Sequence, residues 1–288
     1  MITCFLRKTL AAAAGLALAL IASAGAAQEP PGAPAPAAPP AAPPAAGGLT
    51  AEQLSKANNP LSEMNALNLH NYWTPSIRGV PDETSNTFDL RGVVVAGRQI
   101  IRATVPVVTA PLGGGSYASG LGDISIFDAI LVNGEASKTQ LGVGPLLVIP
   151  SATDDHLGQG KWQAGGAVVV MHPLPGGSLL GALVTYQTDF AGDGERAHTS
   201  VMVVQPVVTV AMGGGFYFRS SAVCVFDFEN SRELVPLGIG VGRVFKGLGG
   251  VVNVLLEPQF TVYSRGAGQP AYQVFTGINI QWAKKAKG

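Results

Sequence analysis

Gly181-Ala182-Leu183-Val184-Thr185-Tyr186-Gln187-Thr188-Asp189-Phe190 alternates with a period of two. Ala182, Val184, Tyr186, Thr188 and Phe190 share one face, while Thr185, Gln187 and Asp189 lie on the other. Successive side chains of an extended chain point to opposite sides, so this is a strand with one apolar and one polar face. The pattern returns twice near the C-terminus. Val252, Val254, Leu256, Phe260 and Val262 oppose Asn253, Glu257, Gln259 and Thr261. Tyr272, Val274, Ile278, Ile280 and Trp282 oppose Gln273, Asn279 and Gln281.

Turn chemistry divides the remaining sequence. Gly-rich or Pro-Gly runs stand at 110–115, 173–177, 212–215 and 246–250, where tight reversals need the backbone freedom of glycine. Between such signals lie twelve candidate strands, near 65–77, 86–95, 98–109, 120–132, 140–149, 162–172, 179–190, 200–211, 215–228, 234–245, 250–263 and 270–282. The first five are less clean, because Asp128 and glycine runs blur the alternation. With both termini on one side, the outward connections are 78–85, 110–119, 150–161, 191–199, 229–233 and 264–269, and the inward ones are mostly short turns such as 212–214 and 246–249. Long outside and short inside, with an even strand count, is the asymmetry of bacterial membrane barrels.

Composition favours the same fold. Hydrophobic residues make up 47% and charged residues only 12%, against about 25% charged in an ordinary soluble domain; the mean hydropathy is +0.30. Yet no apolar stretch of the length a membrane helix needs follows residue 27. A closed sheet resolves the conflict: its backbone groups bond to one another, its apolar face meets lipid and its polar face lines the lumen. The expected fold is therefore all-β, an antiparallel transmembrane β-barrel of about twelve strands over 65–282. A soluble periplasmic β-sandwich is the competing class.

Ahead of the barrel, residues 1–27 read as a secretory signal peptide. Arg7 and Lys8 precede an apolar run from Leu10 to Ile21, and small residues follow up to Ala27. Cys4 lies before that run, where it cannot be a lipidated cysteine, and leaves with it. Cys224 then stands alone, which excludes a disulfide framework. The remaining chain carries 16 basic and 18 acidic side chains without a basic patch, so no nucleic acid partner is expected. Residues 28–48 are almost entirely Pro, Ala and Gly and read as a disordered, extended linker. Thr50 and Gln53 form a capping box opening a short helix to about Ala57, ended by Asn58-Asn59-Pro60. A helix this short is unstable alone and must dock, so residues 49–64 are a candidate plug. Residues 283–288 form a tail behind Gly277–Trp282, which resembles the terminal-strand signal read by the barrel-assembly machinery but departs from it in not ending on the aromatic residue.

Several motifs resemble a family of outer-membrane transporters labelled the "MetA-pathway of phenol degradation" family. The strongest lies in Gly142-Val143-Gly144-Pro145 and the run from Ile149 through Ser151-Ala152-Thr153-Asp154-Asp155-His156-Leu157-Gly158-Gln159-Gly160-Lys161-Trp162 to Gln163. The family has a proline, a small or hydroxyl pair and two aspartates, then Leu-Gly-x-Gly-Lys-Trp; Ser151 departs where threonine is commoner. Gly120-Leu121-Gly122-Asp123, Val235 to Gly242, Asn59-Pro60-Leu61 and Leu69-His70-Asn71 continue the resemblance in one order over about 50–282. It implies a twelve-stranded type of barrel in the outer membrane and no particular substrate.

Two sets of residues are candidates for function. The loop set is Pro150, Thr153, Asp154, Asp155, Gly158, Gly160, Lys161 and Trp162. Carboxylate and imidazole are good metal ligands, but adjacent residues rarely converge on one ion, so Asp154 and Asp155 are read as holding the loop backbone, with Lys161 as counter-charge. No metal or cofactor is expected. The lumen set is Arg102, Asp123, Thr185, Gln187, Asp189, Gln205, Arg219, Asn253, Glu257, Gln259, Asn279 and Gln281, which mixes both signs with amides and forms no ring of one charge. Gly238, Gly240 and Gly242 alternate on one face, leaving room for the plug, a neighbouring side chain or a ligand. Trp73, Trp162, Phe190, Phe216, Tyr217, Phe228, Phe245, Tyr263 and Trp282 suit interfacial girdles. The glycine runs lack the Lys-Ser/Thr of a phosphate loop. His172 with Ser178, or His198 with Ser200, lacks a recognisable third member of a nucleophilic triad, so no enzyme is expected. The leading functional reading is a passive channel for a small, hydrophobic or aromatic solute. The alternative is a structural or adhesion protein with a filled barrel. The other expected partners are outer-membrane lipid and the barrel-assembly machinery.

Overall fold

The computed structural model describes residues 49–133 and 137–283. The expected signal segment, the linker and the last five residues lie outside the described residues. Twelve antiparallel strands form one closed sheet: β1 (Met64–Ile77), β2 (Ser85–Ala96), β3 (Gln99–Gly113), β4 (Ser116–Leu121 continued by Ile124–Leu131), β5 (Gln140–Ile149), β6 (Lys161–Pro173), β7 (Leu179–Gly192), β8 (Ser200–Gly213), β9 (Phe216–Ser220 continued by Cys224–Asp227), β10 (Arg232–Gly238 continued by Gly240–Gly247), β11 (Gly250–Arg265) and β12 (Pro270–Ala283). Each pairs with its sequence neighbours, and β12 returns to β1, with Asn65 opposite Trp282 and His70 opposite Gly277. Among the described residues every strand has a partner on both sides over most of its length and there is no second sheet, which removes the sandwich.

One expected boundary changes. Residues 110–119 are not an open connection: β3 and β4 pair out to Gly113 and Ser116 around Gly114-Gly115. Both glycines have positive φ, 62° and 80°, as a two-residue hairpin turn of matching twist requires. Pro111 is tolerated because β2 pairs with β3 only as far as Thr109; beyond it β3 is an edge with no neighbour on that side.

The two faces of the wall invert the pattern of a soluble protein. Outward apolar side chains are exposed, Val168 by 45% and Phe190 by 63%, whereas inward Glu257 is fully buried. Trp73, Trp162, Phe190 and Tyr263 are exposed near the loop end, and Phe216 near the end that carries the termini. Tyr217 corrects the girdle assignment. It is only 1% exposed and its hydroxyl donates to Asn253 Oδ1 at 2.6 Å. Neighbouring residues of a strand face opposite sides, so Phe216 and Tyr217 cannot both meet lipid.

A second correction concerns the lumen, which is not polar throughout. Val95, Ile100, Phe127, Ala129, Leu131, Leu146, Ala167, Val169, Met171, Leu179 and Leu183 form an apolar cluster on the inward faces of β2 to β7. Leu61, fully buried, sits in it. This also explains the weak alternation of the early strands: in β4, inward Phe127, Ala129 and Leu131 alternate with Ile126, Asp128 and Ile130, so apart from Asp128, which is held by Gln99, both faces are apolar.

The helix α1 (Ala51–Asn58) docks inside the end that carries the termini. Its capping box is reciprocal: Gln53 N donates to Thr50 Oγ1 at 3.2 Å and Thr50 N to Gln53 Oε1 at 3.0 Å. Leu49, Leu54 and Ala57 pack on Tyr217 and Val244. The carbonyl of Ala57, one of those a helix C-terminus leaves unpaired, accepts from Gln281 Nε2 at 3.1 Å and Asn253 Nδ2 at 3.3 Å. Asn59 then ties the exit to β5 through Gln140 at 2.6 Å.

Candidate functional site

The polar half of the lumen is organised around one carboxylate. Arg219 Nε donates to Glu257 Oε2 at 2.6 Å, and Ser221 donates from both its backbone N (2.8 Å) and its hydroxyl (2.9 Å). Gln259 Nε2 reaches Glu257 Oε1 at 3.3 Å, and Gln273 extends the chain to Gln259 at 2.8 Å. Gln205 donates to Ser221 O at 3.0 Å. Two sequence features make this possible. The interruption of β9 after Ser220 frees the Ser221 N–H to turn inward. Gly238 and Gly240 leave the volume that the Glu257 side chain fills, since a Cβ at either would collide with it; Gly242 does the same beneath the Tyr217 ring. The alternating glycines therefore admit neighbouring side chains.

Beside it along the wall, on the inner faces of β1 and β2, stands a second cluster. Arg91 bonds Asp89 at 3.2 Å and Thr104 at 3.0 Å, and its Nη1 lies 3.4 Å from His70 Nδ1. His70 Nε2 is 2.7 Å from Asn279 Oδ1. The Phe275 ring joins the clusters, stacked on Tyr72 at 4.5 Å and met edge-on by His70 at 5.1 Å, with the Arg219 guanidinium 5.3 Å away. Arg102 lies 4.1 Å from the Phe127 ring centre.

Of the lumen candidates, Arg102, Gln205, Arg219, Asn253, Asn279 and Gln281 line one interior space, with Glu257 and Gln259 bonded to that set. Thr185 is buried in the wall, and Gln187 bonds Gln163 there at 2.9 Å. Asp189 sits at the loop end, accepting from Thr199 N at 2.6 Å and lying 3.0 Å from His198 Nδ1 and 3.9 Å from Lys161 Nζ. Asp123 does not face this space. Its carboxylate is occupied by the loop 150–160, accepting from Ala152 N at 3.3 Å and Gln159 N at 2.6 Å. His70, Tyr72, Asp89, Arg91, Ser221, Phe127 and Phe275 were not among the candidates. The spacing of Asn68, His70 and Tyr72 on β1, and of Asp89 and Arg91 on β2, carried the missing signal.

The loop motif builds the loop itself. Thr153 bonds Leu121 twice, backbone N to O and Leu121 N to Thr153 Oγ1, each at 3.0 Å. Asp154 Oδ1 accepts from His156 N at 2.8 Å, and that bond, with the imidazole beside it, holds the Asp154 carboxyl below the usual range. Arg196 clamps the far side through Gly158 O at 2.8 Å and the carbonyl of Asp155. Gly158 is pressed against Ala152 and Asp123, and Gly160 has φ +64°. Replacing Asp123 by alanine is expected to free the loop: exchange of the Ala152 and Gln159 amides, followed by hydrogen–deuterium exchange, should accelerate at least about tenfold while the β6 and β7 amides stay protected. Unchanged exchange would refute the anchoring role.

The histidine–serine pairs serve other partners. His172 Nδ1 meets Thr139 Oγ1 at 2.8 Å, while Ser178 accepts from Ala211 N at 3.0 Å. His198 pairs with Asp189, but the Ser200 hydroxyl lies 3.0 Å from that of Tyr186, which points outward, on the opposite face of the wall from Asp189.

No family model matches the chain, and no curated protein matches it by sequence. The crystal structure of an outer membrane channel from Pseudomonas putida F1 superposes with a TM-score of 0.58 at 11% identity, over 76% of this chain and 96% of that one. A mutant porin of Rh. blastica covers 76% of this chain and 99% of its own at 10% identity, with a TM-score of 0.26, too low to carry an argument. The chain shares the fold of an outer membrane channel.

Proposed function

We propose that this protein is a passive outer-membrane channel for small solutes, closed at the end carrying its termini by the segment Leu49–Ser62. One observation carries the reading. A capped helix and its exit loop sit in the mouth of the barrel, narrowing it to a space of about 610 Å³ beside Glu52, Lys56 and Gln140, and are held there by lumen side chains, Asn253 and Gln281 on Ala57 and Gln140 on Asn59. The outward apolar band supports the membrane address, as does the signal read in residues 1–27, and the family resemblance agrees with it. Lipid would cover the band, and the barrel-assembly machinery would insert the chain through β12. Opposite charges paired across the wall favour weak selectivity over a single-sign filter. The filled apolar half around Leu61 favours a second reading, a structural barrel that passes nothing.

Planar-bilayer recording separates the two. The chain without residues 28–62 is expected to show a conductance several-fold above that of the full mature chain. No current and no solute flux in either form would leave the structural reading.

A further inference from the structure

Beneath α1 the lumen holds a half-open cavity of about 140 Å³, bounded on one side by Ala57 to Pro60. Its wall carries three guanidiniums, Arg91, Arg102 and Arg219, and no carboxylate among the described residues. Two of the three are compensated by carboxylates that do not themselves line the space: Asp89 on Arg91 at 3.2 Å and Glu257 on Arg219 at 2.6 Å. Arg102 differs. Its Nε is buried without a hydrogen-bond partner, and its guanidinium leans only on the Phe127 ring, at 4.1 Å. Asn68, also on the wall, has a buried amide oxygen without a donor; rotated by 180° it would present its N–H groups to the same space.

We infer that this cavity binds a small organic monoanion, a carboxylate on a flat apolar body, with Arg102 as the carboxylate-binding residue. A guanidinium facing an interior space without an anion is costly, and a carboxylate meets its two Nη groups with two parallel charge-assisted hydrogen bonds. One uncompensated charge suits one negative charge, so a phosphate dianion would leave an excess. The rest of the wall sets the body. Phe127, Ile100, Val207 and Phe275 line the same space, and a volume of about 150 Å³ has room for a benzene ring. Inorganic anions would use the guanidinium and waste the apolar wall. The inference names the solute class of the proposed channel and rests on that reading only for its biological meaning.

Equilibrium dialysis of labelled benzoate against the full chain in detergent is the test, with folding checked by heat-dependent gel mobility. Wild type is expected to bind benzoate saturably, with benzyl alcohol and acetate competing at least about tenfold more weakly. Arg102→Gln should weaken benzoate at least about tenfold, and Lys246→Gln, an equal change of charge on an exposed residue remote from the cavity, should leave it unaltered. Where Arg102→Gln fails to fold, Phe127→Leu should weaken benzoate and narrow its advantage over acetate, and the wild-type ranking of the three probes stands on its own. The proposal is overturned if benzoate does not saturate, if benzyl alcohol or acetate competes equally, or if a folded Arg102→Gln binds as wild type does. Binding is read without current, so a protein that binds benzoate but conducts nothing would refute the channel and keep the site; the reverse would do the opposite.

Discussion

Glu257→Gln is expected to lower the unfolding free energy of the barrel by about 3–5 kcal/mol, read from urea titration in lipid vesicles. The carboxylate is fully buried and accepts from Arg219, from both donors of Ser221 and from Gln259. Removing its charge leaves the Arg219 guanidinium, only 12% exposed in its side chain, without an anion. The glutamine has nearly the same volume, so the space above Gly238 and Gly240 stays filled and the loss is electrostatic. The double replacement Glu257→Leu with Arg219→Met should recover much of that loss, because an apolar pair needs no compensation. It should still fall short of wild type by about 1–3 kcal/mol, since the Ser221 N–H would lose its acceptor. A loss below about 1 kcal/mol for Glu257→Gln would mean that water already solvates this cluster.

Much of this architecture was legible because the membrane barrel makes the strand period a two-letter code. Over the polar stretches of β7, β11 and β12 the outward residues are apolar and most inward ones polar, so Gln187, Asn253, Glu257 and Gln281 take a face from sequence alone. The capping box was legible for a similar reason, since it is local: Thr50 and Gln53 need only each other. What alternation could not show is where the lumen itself is apolar. Once Phe127, Ala129 and Leu131 point inward opposite lipid-facing isoleucines, the code has one letter, and β4 reads as an unresolved apolar run. Tyr217 lies near a strand end, as a girdle residue would, but parity with Phe216 turns it inward onto Asn253. The pairing of Arg219 on β9 with Glu257 on β11 depends on which strands neighbour one another in the wall, as does the isolation of Arg102, and no local pattern encodes that. Charge and parity point Asp123 to the lumen, but the break in β4 hands it to the loop.

Val168→Arg carries the membrane argument itself, with an expected cost of about 2–4 kcal/mol in lipid vesicles. Val168 lies in the middle of β6, between Val143 on β5 and Val184 on β7, and its side chain is on the outer face, 45% exposed when no lipid is present. In water such a site is a surface position, and substitution there changes stability by no more than about 0.5 kcal/mol in either direction. In a bilayer the same position lies near the midplane, where a guanidinium must pull water or headgroups inward to remain solvated. The sign of the contrast is therefore fixed by what surrounds the barrel and not by any contact within it. Depth supplies the internal check. Tyr263, near the loop end of β11 and 50% exposed, falls at the interface, so Tyr263→Arg should cost only about 0–1 kcal/mol. A gradient of that kind along the outer wall, measured by the same urea titration, requires a lipid slab centred on Val168. Equal and small costs at both positions would instead place the barrel in water and remove the basis for a channel.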